Sequence, residues 1–169
     1  MRSVGRLTDD HAMKEALLIL LGFVLGLVPT WLDRKRKLQT HWAAIRAEVE
    51  LCREKAAILV SDSIQSPLYR LPVMAYEASL PVLLADGAVS EAELFAVGRF
   101  YGQVQDINRG LDHAAERLSS NDADGLRREY DRNLLKARRL ASENDGDDSL
   151  YLPVKRIVDS KATAAWWRY

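Results

Sequence analysis

Residues 16–32 read Ala-Leu-Leu-Ile-Leu-Leu-Gly-Phe-Val-Leu-Gly-Leu-Val-Pro-Thr-Trp-Leu, without a charge at any position. As a helix the run is about 25 Å long, the short end of what crosses a hydrocarbon core of about 30 Å. Lys14 can snorkel at one end and Trp31 can sit among headgroups at the other, which closes most of the difference. Residues 14–32 therefore read as a transmembrane anchor, ahead of two alternatives, a buried core helix and a cleaved signal. A signal carries its positive charge before the apolar run and a small-x-small site after it. Here Pro29-Thr30-Trp31 follows instead, and the charge order is reversed. Gly22 and Gly26 have the spacing that lets two spanning helices approach, although glycine is common in such helices anyway. Pro29 is expected to kink or terminate the span.

Residues 33–37 form a basic collar, Asp33 followed by Arg34, Lys35, Arg36 and Lys37. The N-terminal flank mixes Arg2, Arg6 and Lys14 with Asp9, Asp10 and Glu15. The positive-inside bias places the C-terminal side in the cytoplasm of a bacterial-type inner membrane, with the N-terminus outside. Trp31 and the four collar cations are the expected topology and lipid residues, each cation worth about 1 kcal/mol near anionic lipid. Residues 1–13 are a short extension, and Met13 would serve as well as Met1 for a start.

The chain of 169 residues has room for one anchor and one domain. Its 24 basic and 24 acidic residues cancel, so no global field draws it to nucleic acid, and no nucleic-acid partner is expected. Cys52 is the one cysteine, which excludes an internal disulfide and a thiolate metal cluster.

The remainder reads as all-α, an antiparallel bundle of about four helices over residues 38–143 with a short C-terminal helix. Leu38, Trp42, Ile45, Val49, Cys52, Ala56 and Leu59 recur at alternating spacings of four and three, an apolar seam along a helix running to about Val60. Such a seam can be satisfied within one chain or between two, so a homo-oligomer is compatible with it. A second helix is expected from Pro72 to Ala85, kinked or divided at Pro81 and ended by Asp86-Gly87. Ser90-Glu91-Ala92-Glu93 is a capping box that opens a third helix reaching Leu118. Its seam reads Leu94, Val97, Tyr101, Val104, Asn108, Leu111, Ala115 and Leu118. Asn108 interrupts that seam, and Asn133 sits on the inner stripe of the fourth helix with Leu126, Tyr130, Ala137 and Leu140; both are expected to fix packing register.

Other faces of the fourth helix carry Arg127, Arg128, Arg132, Lys136, Arg138 and Arg139. This cluster and Trp166-Trp167 in the aromatic tail helix, residues 154–169, are the candidate surfaces for a protein partner or lipid. Residues 144–153 read as an acidic, solvated loop, since the spacing and closing glutamate of a calcium loop are missing. His11, His41 and His113 are isolated, and neither a nucleophile elbow nor a phosphate-binding glycine loop occurs. Glu48, Glu50, Glu54, Glu91 and Glu93 read as solvated helix faces. No catalytic, cofactor-binding or metal-ligating residue is expected.

These readings combine into a membrane-tethered interaction module without catalysis. Two other classes compete. One is a phage- or lysis-type envelope protein with a periplasmic helical domain; the other is a small sensor or enzyme with a site around Tyr101, Asn108, Tyr130 and Asn133.

Overall fold

The computed structural model describes residues 5–61, 69–144 and 149–164, with side chains from residue 13 onward, Val24 excepted. The chain is all-helical, with α1 Gly5–Ser61, α2 Met74–Ala85, α3 Glu91–Ser119, α4 Ala123–Ala141 and α5 Tyr151–Ala162. It divides into two units, one reaching to Lys37 and the other spanning Leu38–Ala165.

In the first unit every described side chain from residue 13 to 31 is exposed, and the helix is long and apolar enough to cross a membrane. Pro29 lies inside α1 and does not end it. Proline removes only one rung of the ladder, to the carbonyl four residues back. Thr30 beside it donates its hydroxyl to the Leu27 carbonyl at 2.8 Å.

The second unit is the bundle. All seven residues of the first seam are buried, Trp42, Ile45, Val49, Cys52 and Ala56 completely. Each large apolar side chain so enclosed contributes about 1.5–3 kcal/mol. Helix α2 runs antiparallel to α1, because His41 meets Ser79 at 3.1 Å while Cys52 reaches the Pro72 carbonyl. It starts at Met74, not Pro72, and Pro81 lies within it without dividing it. Gly87, at φ 65°, turns the chain toward α3.

The capping box on α3 forms as read: Ser90 Oγ accepts from the Glu93 amide, and the Glu93 carboxylate accepts from the Ser90 amide at 2.8 Å. The buried face of α3 differs from the expected seam. Phe100, Ile107 and Ala114 are buried, whereas Leu94 and Leu118 are exposed and Asn108 and Ala115 only half-buried. The stripe pairs Val97, Val104 and Leu111 with their i+3 neighbours, and Tyr101 is the single i+4 position it retains. A turn at residues 120–122, with Asn121 at φ 60°, folds α4 back along the C-terminal half of α3. Helix α5 begins at Tyr151, and Ser149, Leu150 and Tyr151 are buried. The expected acidic loop is therefore shorter than residues 144–153, because its last residues are apolar and join the core. Lys161 pairs with Glu93 at 3.0 Å, so α5 accompanies the N-terminal half of α3.

Candidate membrane anchor and interaction surface

The apolar stretch presents its largest side chains outward, Ile19 at 74% exposure and Phe23 at 66%. Side chains of this kind covering a helix all round have no use in water. At the C-terminal end of the stretch Arg34, Arg36 and Lys37 are exposed. Lys35 is buried, its ammonium 3.8 Å from the Trp31 ring centroid, a cation–π contact within one face of α1.

Helix α4 is divided lengthwise. Asn133, Ala137 and Leu140 are buried along one side, and Arg127, Arg128, Arg132 and Arg138 are exposed on the other, with Lys136 and Arg139 at its margins half-buried. Arg132 pairs with Glu129 at 3.3 Å. Among the described residues Arg127, Arg128, Lys136 and Arg138 have no ion-pair partner. Leu135 stands in the middle of this face, 62% exposed.

Two polar side chains, Glu48 and Asn108, hold the backbone at and before the start of α2. Glu48 was read as part of a solvated face, yet it is 7% exposed and accepts the Ala75 and Tyr76 amides at 2.7 and 2.9 Å. Helix α2 has no cap of its own, since the residue before it is Val73, so α1 supplies the missing acceptor. Asn108 accepts the Leu71 amide and donates to the Leu71 carbonyl, both at 2.9 Å, fixing the segment that leads into α2. Asn108 thus ties α3 to the connector ahead of α2, whereas the sequence reading places it between facing helices. Asn133 packs against Gly110 where α3 and α4 approach, in space that a side chain at 110 would need.

Tyr101 stacks on Tyr76 at 4.0 Å, and burial first, then the Glu48 charge, makes its hydroxyl harder to ionise. The Cys52 thiol is pushed up to about 12 by burial and by Glu48, which leaves it without nucleophilic character near neutral pH. Of the polar side chains Tyr101, Asn108, Tyr130 and Asn133, Tyr101 faces Tyr76, Asn108 holds Leu71 and Asn133 abuts Gly110.

Helix α5 is tied to α1 by charge. Arg46 meets Asp159 at 2.6 Å, and Glu50 accepts from Lys155 at 2.6 Å and from Tyr151 at 2.7 Å. Burial alone would raise the Glu50 pKa, but these two donors and the nearby Arg53 outweigh it and hold the carboxyl below its ordinary range. Sequence reasoning missed Glu50 and Glu48 alike, because a carboxylate on an amphipathic helix looks the same whether its partner is water or a neighbouring helix.

An open cleft of about 550 Å³ at the α3–α4 turn is lined by His113, Glu116, Arg117, Ser120 and Glu129. No three His, Cys, Asp or Glu side chains are placed to hold a metal ion among the described residues. Trp166 and Trp167 lie outside the described residues. Comparison with protein-family models, with curated proteins and with solved structures found no match.

Proposed function

We propose that the chain is a single-pass inner-membrane protein that presents a helical interaction module to the cytoplasm and performs no chemistry of its own. The observation that carries this reading is the uncharged stretch of residues 16–32, its described side chains exposed as far as Trp31, followed after Asp33 by four consecutive cations. Hydrocarbon is the solvent that suits such a surface, and the collar biases its C-terminal side toward the cytoplasm. The non-catalytic part rests on the bundle's polar groups, since Glu48, Asn108 and Glu50 are spent on backbone and ion pairs. Tethering then supplies function by concentration: a module confined to one surface meets a cytoplasmic protein partner there without needing strong contacts.

Paired reporters fused to the C-terminus, one active only in the periplasm and one only in the cytoplasm, test the orientation. Cytoplasmic activity is the expected result. Periplasmic activity would overturn it and favour an envelope protein of the lysis type.

A further inference from the structure

We infer that the exposed face of α4 is a docking surface for anionic phospholipid headgroups, with Leu135 as its apolar insertion. The inference rests on the tethered reading for its biological setting, and on α4 itself for its chemistry. Helix α4 holds six cations, Arg127, Arg128, Arg132, Lys136, Arg138 and Arg139, against three carboxylates, Asp124, Glu129 and Asp131. One carboxylate, that of Glu129, is turned to Arg132. The four cations without an ion-pair partner among the described residues are spread over three turns of the outer face. In a molecule whose charges cancel overall, this is a local positive field.

Leu135 distinguishes the possible occupants. Residues three and four away on a helix are its surface neighbours, and for Leu135 these are Asp131, Arg132, Arg138 and Arg139. A 62% exposed leucine among three arginines has no purpose against a sugar–phosphate chain, which offers only charge. A bilayer interface offers both: phosphates that accept from guanidinium forks, and acyl carbon just beneath them. The carboxylates of Asp124 and Asp131 on the same face oppose anionic headgroups, and the surplus of cations over them sets the preference for anionic over uncharged lipid. Each cation at such a surface is worth about fivefold in partition, so removing two lowers docking about 25-fold.

The test uses the full chain carrying Leu135→Cys, labelled with an environment-sensitive fluorophore; Cys52, fully buried, stays unlabelled. A control label replaces Glu116, an exposed residue of α3. The chain is incorporated in vesicles of phosphatidylcholine alone or mixed equally with phosphatidylglycerol. Resistance to alkaline carbonate extraction from the neutral vesicles reads the anchor, and the fluorophore reads the face.

The expected result is a blue shift at position 135 on phosphatidylglycerol vesicles only, absent at 116, weakened by salt and nearly lost in Arg128→Gln/Arg138→Gln. No shift in a carbonate-resistant chain would overturn the inference and leave the anchor standing. An equal shift on neutral vesicles, or one produced by duplex DNA or an acidic protein and not by phosphatidylglycerol, would also overturn it. A chain extracted by carbonate that still shifts on added phosphatidylglycerol vesicles would sink the anchor and support the face.

Discussion

Replacing Glu48 should unfasten α2. The carboxylate receives two amides from the first turn of a helix that has no other cap, through contacts of 2.7 and 2.9 Å. Hydrogen bonds to a charged group contribute about 1.5–3 kcal/mol each, so the pair is worth about 3–6 kcal/mol gross. The favourable position at the positive end of a helix is contained in that figure rather than added to it. Against it stands the cost of holding a carboxylate at 7% exposure, which the alanine variant no longer bears. The net loss expected for Glu48→Ala is about 2–4 kcal/mol. Glu48→Gln keeps the packing and one acceptor but turns an NH2 toward the other amide, and should cost about 1–2 kcal/mol. Urea unfolding of the full chain in detergent, followed by circular dichroism, gives the global value. Hydrogen exchange at the Ala75 and Tyr76 amides gives the local one, where protection should fall first. If Glu48→Gln unfolds with the native protein and both amides keep their slow exchange, the cap assigned to Glu48 is wrong.

Other outcomes follow from the same contacts. Glu50 is held below its ordinary value of 4.5, so unfolding raises its proton affinity; its stabilisation is present above that value and lost as pH falls through the lower folded one. Unfolding midpoints taken from neutral to acid pH should therefore decline less steeply in Glu50→Gln, and parallel curves would count against the Lys155–Tyr151–Glu50 cluster as an acid-sensitive element. Cys52 should resist maleimide in the folded chain and react once urea unfolds it, because burial carries its thiol to about 12; rapid native labelling would contradict the packing of α1. Gly110→Ala should destabilise by about 1–3 kcal/mol through crowding of Asn133, and adding Asn133→Ala should recover most of it in a double-mutant cycle. Changing Arg34, Lys35, Arg36 and Lys37 to glutamate should invert or weaken insertion, and an unchanged reporter pattern would remove the collar's role in orientation.

What the sequence discloses tracks how local each signal is. The α1 seam and the α3 capping box are legible because periodicity and a four-residue motif act within one element. The α3 stripe is read one position off because Val97 has two candidate companions, Phe100 at i+3 and Tyr101 at i+4, and both are apolar. Further along, Ile107 competes with Asn108, and preferring the apolar member would have found the buried face. Helix α3 also changes partner midway, from α5 to α4, so its stripe serves two neighbours instead of one straight seam. Glu48 and Leu71 remain hidden for a different reason: their partners, Ala75 and Tyr76 for one and Asn108 for the other, are brought near only by the turns of the chain. A charge pattern cannot announce a backbone amide from another helix.

The close approach of Gly110 and Asn133 also has a history written into it. The Asn133 amide nitrogen makes no hydrogen bond, so shortening that side chain forfeits contact but no polar partner. A lineage could therefore lose the asparagine first and acquire a methyl group at 110 afterwards, each step tolerable. Taken in the opposite order, the first step meets an occupied space. The two positions thus impose a direction on change, and descendants of this chain should alter 133 before 110.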